Sequence, residues 1–383
     1  MTKLEELIQK LCPNGVEHKP LNEVSEMKRG TSITKKDIVE GEIPVVSGGR
    51  EPAYYCDKYN RDGETITVAG SGAGAGYVQY WTKPIFVCDA FSIQGNPGIQ
   101  TKYIYYFLTN IQDYIYSTKK GGGVPHVHIS SIENVSVPVP PLPVQREIVR
   151  ILDNFTELTA ELTAELTARK QQYAYYRDKL LSTNNSSVPV VELRDIVKKS
   201  CSGATPAKGN AEYYENGTIP WIRTQDVRFN EITEVNSYIT EKAVSETATK
   251  WIPENCVIVA ISGATARRCA INKIKATTNQ HCLNLIIDDS MALYRYVFHC
   301  FCSKYEELIS RKQGARGDLN SSLILSLPIP IPSLEVQKRL VEVLDNFDAI
   351  CSDLKIGLPA EIEARQKQYE YYRDKLLTFT PAD

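Results

Sequence analysis

The run Gly70-Ser71-Gly72-Ala73-Gly74-Ala75-Gly76 is the part of this chain built most like a nucleotide loop. It follows the β-branched run Thr65–Ala69, and Asp89 lies 19 residues beyond Gly70. In that arrangement a glycine-rich turn cradles a pyrophosphate, and a later acid takes a ribose hydroxyl. Such a loop must open a helix. Tyr77-Val78-Gln79-Tyr80-Trp81-Thr82-Lys83-Pro84 is too short and aromatic for one, and it ends in Pro. Backbone approaching a DNA phosphate through Ser71 and Gly72 fits the pattern better. Of five histidines, His126 and His128 form the only close pair, at strand spacing and without a neighbouring Cys or carboxylate, so no zinc set is read. The chain shows no Ser/His/Asp or paired-carboxylate constellation whose geometry the sequence supports, and no Asn/Asp-Pro-Pro-aromatic motif of amino-methyltransferases. No catalytic, cofactor or metal residue is assigned.

Cations and amides in turn-rich segments point instead to nucleic acid. Lys119-Lys120-Gly121-Gly122-Gly123 is answered by Lys312-Gln313-Gly314-Ala315-Arg316 later in the chain. Ser262-Gly263 corresponds to Ser71-Gly72 and is followed by Arg267-Arg268. Lys28-Arg29, Arg50 and Arg223-Thr224-Gln225 complete the candidates. Arg matches the guanine edge, Gln the adenine edge, and Lys the phosphate.

Bulk composition leaves this open. The 383 residues suggest two or three domains. They are 42% hydrophobic and 23% charged, as in an ordinary globular protein. A formal net charge of −2 neither supports nor excludes DNA, because phosphate binding needs a local basic surface. No apolar run reaches the roughly 18 residues of a membrane span. The start of the chain, with charge and apolar residues at helical spacing, lacks the apolar core of a signal peptide. Ten cysteines without a CxxC pair read as reduced thiols of a cytoplasmic protein, mostly filling the core.

The elements that position these residues occur twice. Gln145-x6-Leu152-Asp153-Asn154-Phe155 is followed by Gln172-Tyr173-x-Tyr175-Tyr176-Arg177-Asp178-Lys179-Leu180-Leu181. Gln337-x6-Leu344-Asp345-Asn346-Phe347 is followed by Gln368-Tyr369-x-Tyr371-Tyr372-Arg373-Asp374-Lys375-Leu376-Leu377. Upstream, Val135-Ser136-Val137-Pro138-Val139-Pro140 aligns with Leu327-Pro328-Ile329-Pro330-Ile331-Pro332 at an offset of 192 residues. Alternating Val/Ile and Pro excludes an inner strand and suits an edge strand or stiff linker. More distantly, Ile43-Pro44-Val45-Val46 answers Ile219-Pro220-Trp221-Ile222. Thr67–Ala73 answers Ile258–Ala264, with Ile261 and Thr265 in place of Gly70 and Gly74.

Strands are expected at Thr65–Ala69, Tyr77–Trp81, Ile85–Cys88, Val257–Ile261 and Leu283–Ile287, and short helices at Tyr103–Tyr116 and Tyr294–Ile309. Val144, Ile148, Ile151, Phe155, Leu158, Leu162 and Leu166, then Tyr173, Tyr176 and Leu180, form a helical seam. Three Glu-Leu-Thr-Ala units at 157–168 extend this helix to about 38 residues, near 57 Å. Each unit adds about 6 Å, against about 3.4 Å per base-pair step. Val336, Leu340, Val343, Phe347, Ile350, Leu354, Leu358 and Ile362, then Tyr369, Tyr372 and Leu376, form the second seam, with a break expected at Gly357 and Pro359.

The fold expected is α+β: two repeated α+β domains joined by two long antiparallel coiled-coil helices. The boundaries are a helical segment at 1–12, domains at 13–141 and 183–332, and helices at 142–182 and 333–383. The Tyr173, Tyr176, Arg177, Asp178 and Tyr369, Tyr372, Arg373, Asp374 clusters read as packing within the coil or docking against a partner.

The paired Val/Ile-Pro linkers, the Gln-x6-Leu-Asp-Asn-Phe starts, the Gln-Tyr-x-Tyr-Tyr-Arg-Asp-Lys-Leu-Leu ends and the Thr-Ala-Glu-Leu repeat at Thr159–Leu166 together resemble the specificity subunits of Type I restriction–modification systems. The resemblance covers essentially the whole chain. It implies two domains that each read half of a split, asymmetric double-stranded DNA target, with helices that space them and dock two modification subunits. It also implies a non-catalytic chain whose partners hold S-adenosylmethionine, ATP and Mg, methylate adenine and, through restriction subunits, cleave. The alternatives are a self-contained DNA methyltransferase using the glycine-rich loop and a coiled-coil scaffold without DNA affinity.

Overall fold

Proline has no amide hydrogen for a sheet ladder, and in the computed structural model both Val/Ile-Pro runs form the margin of a two-stranded ladder. Ser136–Pro138 lies antiparallel to His18–Pro20, with His18 opposite Pro138, and Pro328–Pro330 lies antiparallel to Val190–Glu192, with Val190 opposite Pro330. The structure describes residues 2–33, 39–182, 187–263, 265–310, 319–353 and 355–382. The chain divides into two units, Met1–Thr163 with Glu361–Asp383 and Ala164–Ala360. Each holds one α+β domain, the near half of the helix that follows it and the far half of the other.

The two domains share a strand plan. In the first, a four-stranded sheet runs Ser25–Arg29, Ala90–Gly95, Thr65–Ala69, Val78–Trp81, beside a three-stranded sheet of Tyr54–Cys56, Ile43–Val46 and Phe86–Val87. In the second, Val197–Ser202, Cys282–Ile287, Val257–Ala260 and Cys269–Asn272 repeat the first order and gain Asn230–Ile232. There the smaller sheet is Tyr238–Ile239, Ile219–Ile222, Ala276–Thr278 and Trp251–Ile252. The same parallel pairing recurs: Val45 opposite Phe86, and Trp221 opposite Thr277.

Each expected short helix is two helices. Thr101–Asn110 and Gln112–Ser117 meet at Ile111 (φ −102°, ψ 23°), and Tyr294–Ser303 and Tyr305–Ser310 meet at Lys304 (φ −93°, ψ 6°). At both corners the turn residue still donates its N–H to the carbonyl four residues back, so the chain bends without losing that bond.

The joint between domain and helix is built twice from corresponding residues. Buried Gln145 accepts from the Gln100 N–H at 2.9 Å and donates to the Pro140 carbonyl at 2.8 Å. Buried Gln337 accepts from the Leu293 N–H at 2.9 Å and donates to the Pro332 carbonyl at 2.9 Å. Tyr103 donates its hydroxyl to the Pro138 carbonyl at 3.0 Å, and Tyr296 to the Pro330 carbonyl at 2.8 Å. About two turns on, Asp153 takes Lys102 (2.9 Å) and the Tyr106 hydroxyl (2.5 Å), while Asp345 takes Arg295 (2.8 Å) and His299 (2.7 Å).

The central helix Leu142–Leu180 is continuous over 39 residues and passes from the first unit into the second. Its counterpart is broken into Leu334–Ser352 and Leu358–Leu377, as Gly357 and Pro359 suggest; Leu354 lies outside the described residues. A Cβ on Gly357 would stand 2.5 Å from the Ala349 carbonyl oxygen. Within each unit the helices pair antiparallel. Phe155 stacks on Tyr372 (centroids 5.5 Å apart) in the first, and Phe347 lies against Tyr173 and Tyr176 (6.5 and 6.3 Å) in the second.

The two seams are covered differently. Val144 and Ile148 are fully buried in a core shared with Leu4, Leu7 and Ile8 of the N-terminal helix Lys3–Leu11. Val336, Val343 and Ile350 are 44, 45 and 45% exposed, contrary to a buried second seam. The first seam is covered by a helix that precedes its domain, and the stretch 187–192 ahead of the second domain forms only the strand Val190–Glu192. Lys3 pins the N-terminal helix to the almost buried Glu147 at 3.0 Å, and Arg150 closes on the same carboxylate at 2.6 Å.

Gln145→Ala and Gln337→Ala each leave a buried N–H and a buried carbonyl without partners. Each should lower stability by about 1–3 kcal/mol in denaturant unfolding of the full chain; a change under ~0.5 kcal/mol would remove the joint from the account. The Arg150 hydrogen bond is the chief cause that brings the Glu147 carboxyl from its ordinary 4.5 down to about 2, against the opposing effect of burial. A depressed carboxyl contributes stability that is complete above its ordinary value and lost as pH falls through its folded value. Between pH 4.5 and about 2 the native chain should therefore lose more stability than Glu147→Gln does. Parallel pH curves for the two proteins would contradict this.

Candidate nucleic-acid interface

In the first domain three loops distant in sequence converge at one sheet edge. Ser71 and Lys120 both bridge to His126. Lys120 and His126 exchange backbone hydrogen bonds at 2.9 and 2.8 Å, and Gly72 (φ +77°) donates to the Pro125 carbonyl at 3.0 Å. The turn after Ile43–Val46 lies against the glycine run: a Cβ on Gly48 would stand 2.2 Å from the Ser71 carbonyl oxygen, and one on Gly74 2.4 Å from that of Gly48. The glycines thus allow backbone to pass backbone, and the run leads into strand Val78–Trp81 with no helix opened. The Ser71 hydroxyl donates to Asp89. Arg50 lies over the Tyr77 ring (4.9 Å) and Lys119 over Tyr116 (4.3 Å), so Arg50, Ser71, Gly72, Lys119 and Lys120 are brought together. Lys28, paired with Glu26 at 2.7 Å, and Arg29 are exposed on Ser25–Arg29, where Gly30 continues to the Ala90 carbonyl beside Asp89.

The second domain repeats the arrangement with other chemistry. Thr265 donates its hydroxyl to the Thr224 carbonyl at 2.6 Å, which joins the loop of Ser262, Arg267 and Arg268 to Arg223-Thr224-Gln225. Arg267, at φ +77°, is tied through Nε to the Leu308 carbonyl at 3.0 Å and serves its own loop. Ser262 and Arg268 are half-buried, and Gln225 is exposed. Lys312, Gln313 and Arg316 lie outside the described residues. Arg223 borders a groove of about 600 Å³ that also takes in Thr205, Lys208, Tyr238, Gln280 and His281. Those five are absent from the sequence-based candidates. The Pro/Gly/Asn turn Pro206–Asn210 around Lys208 and the polar triplet Asn279-Gln280-His281 between β-branched runs were the available signals.

Of the helix clusters, Tyr173 and Tyr369 turn inward. The Tyr173 hydroxyl is 3.4 Å from His299 Nδ1, and Tyr369 packs on the first core. Arg177 and Arg373 lie over these rings (5.6 and 5.5 Å), and Arg373 donates to Asn110 at 2.7 Å. Tyr176 and Tyr372 stack on Phe347 and Phe155 with one face in solvent, while Asp178 and Asp374 are exposed. Tyr175 and Tyr371 are the tyrosines most turned outward in each cluster. All ten cysteines are free, and burial pushes Cys256, Cys282 and Cys300 up to about 12. Among the described residues no group of three or more His, Cys, Asp or Glu is placed to hold a metal, and no helix is long and apolar enough to cross a membrane.

Two like-folded domains, each presenting a polar loop edge and each fixed to a long helix, define a duplicated recognition module. The chain matches the family model of the Type I restriction modification DNA specificity domain over residues 13–169 and 185–364, and it belongs to that family. It is 39% identical to the Escherichia coli Type I restriction enzyme EcoR124I/EcoR124II specificity subunit over 73% of this chain and 70% of that one. It is 28% identical to a putative type I restriction enzyme specificity subunit of Haemophilus influenzae over 99% of both chains. The fold matches the crystal structure of a Type I restriction–modification S subunit from M. genitalium with a TM-score of 0.61 at 16% identity, covering 94% of this chain and 96% of that chain.

Gly48→Ala should force the turn at Gly48 away from the glycine run and cost about 1–3 kcal/mol. Hydrogen exchange should rise at residues 47–50 and 70–76, with little change in the second domain. Unchanged exchange in those loops would show that their close approach is dispensable.

Proposed function

We propose that this chain is the sequence-reading subunit of a Type I restriction–modification complex, with each α+β domain binding one half of a split, asymmetric DNA target. The supporting observation is the duplication itself: the joints of Gln145 and Gln337 repeat atom for atom, while the loop edges they carry differ in chemistry. Like frames with unlike loops suit two different half-sites. Catalysis then lies on partner chains: two modification subunits with S-adenosylmethionine methylate adenine, and restriction subunits with ATP and Mg cleave, all in the cytoplasm. The exposed stripe Val336–Val343–Ile350 and the outward Tyr175 and Tyr371 are the surfaces we assign to docking. The length of unbroken helix in Leu142–Leu180 sets the unread gap.

Methylation mapping of genomic DNA decides this. Cells carrying the chain with its modification subunit should show one split, asymmetric adenine-methylated motif that is missing without the chain. Deleting one Glu-Leu-Thr-Ala unit, about 6 Å of rod, should shorten the gap and leave both half-sites unchanged. Identical methylation with and without the chain would overturn the reading.

A further inference from the structure

Arg223 is an anomaly among the described cations. Its Nε is buried with no hydrogen-bond partner, and its guanidinium has no ion pair among the described residues. One of the five N–H donors of a planar group is thus unused in a place where an unmet donor is costly, while the side chain as a whole is half-buried. The backbone that carries it is nonetheless held. Its backbone N–H donates to Asp226 at 2.8 Å, the next carbonyl is fixed by Thr265 at 2.6 Å, and its guanidinium lies 5.8 Å from the Trp221 ring centre. The groove it borders, about 600 Å³, contains Lys208 and no carboxylate among its lining residues. Gln280 is occupied with Thr205 and His281, and Lys208 is exposed, so among the lining residues Arg223 brings the one guanidinium fork, and it is unfilled.

We propose that Arg223 reads a guanine in the half-site bound by the second domain, its fork donating to the two acceptors O6 and N7 on the major-groove edge. This rests on the proposed function above and adds which residue and which base. A phosphate clamp needs only a charge and is served by a mobile lysine at the rim, such as Lys208. A planar fork at the wall of a groove suits an edge with two fixed acceptors, and a guanine edge supplies both. The first domain has no counterpart: the strand equivalent to Ile219–Ile222 is followed by Ser47, and the position nearest Gln280 is Asp89, an acceptor. Guanine reading by this device belongs to one half-site only.

The test uses the complex with its modification subunits and duplexes carrying the mapped motif, with each guanine replaced in turn by 7-deazaguanine, which lacks the N7 acceptor. One guanine in one half-site should weaken binding by about tenfold, within the ~5- to 150-fold expected for a bidentate base contact. With Arg223→Ala that sensitivity should vanish, and the methylated motif should become degenerate at that position alone. The intact other half-site and gap then serve as the folding control. If the variant complex does not assemble, the scan on the native complex still decides, because no sensitive guanine in either half-site overturns the proposal. A motif unchanged in Arg223→Ala, or methylation reduced alike at every site with the motif intact, also overturns it. Absence of any chain-dependent motif in the native complex would sink the proposed function itself, a distinguishable result.

Discussion

The structure depends on how a proline-rich edge strand is closed onto the helix that follows it. Val137-Pro138-Val139-Pro140 cannot donate at its prolines, yet their carbonyls still need partners in a buried place. Tyr103 and Gln145 supply them, and Tyr296 and Gln337 do the same for Pro330 and Pro332. Because the same glutamine also accepts from the N–H that starts helix Thr101–Asn110, or Tyr294–Ser303, it ties three elements at one point. Asp153 and Asp345 repeat the tie about two turns later. A long helix attached by one flexible residue would swing freely. Attached by a buried glutamine and a half-buried aspartate about two turns apart, its direction is set by its own domain.

Only one of the two joints needs more than its own unit's domain to finish it. In the first unit Lys3–Leu11 fills the face of Val144 and Ile148, and Glu147 holds it. At the equivalent positions of the second unit, Arg339 replaces Glu147 and Glu342 replaces Arg150, and the apolar stripe beside them is in solvent. The reversal of charge means that a second copy of Lys3–Leu11 is a poor fit there. Arg339 is instead paired along its own helix with Glu335 at 2.6 Å.

The frame was legible because its causes are local. Alternating Val and Pro excludes an inner strand, Thr65–Ala69 is a strand at both its expected ends, and Gly357 with Pro359 breaks a helix where the uninterrupted Glu-Leu-Thr-Ala units do not. The loop edges were legible in part. Ser71 and Gly72 were picked out by composition, but their neighbours Gly48 and His126 are joined to them by tertiary packing that no spacing reveals. Lys208, Gln280 and Arg223 meet across three separate stretches of chain for the same reason. Burial of Val144 and Ile148 and exposure of Val336 and Val343 could not be read from a shared periodicity, because the covering helix belongs to a different part of the sequence.

This division between local and tertiary causes has a consequence for specificity. The residues that hold each frame make their bonds to main-chain carbonyls and to a few buried side chains, and none of them reaches the loop edge. The loops, in turn, are fixed mainly by backbone-to-backbone bonds and glycine approaches, which tolerate changes in side chains that face outward. A substitution such as the one separating Ser47 from Arg223 therefore changes what an edge can bind while leaving the joint and the rod intact. On the proposed function, the bases read and the gap between them are then independent variables. A net charge of −2 is no obstacle, since what counts is the local surface, and the groove beside Arg223 has no carboxylate among its lining residues.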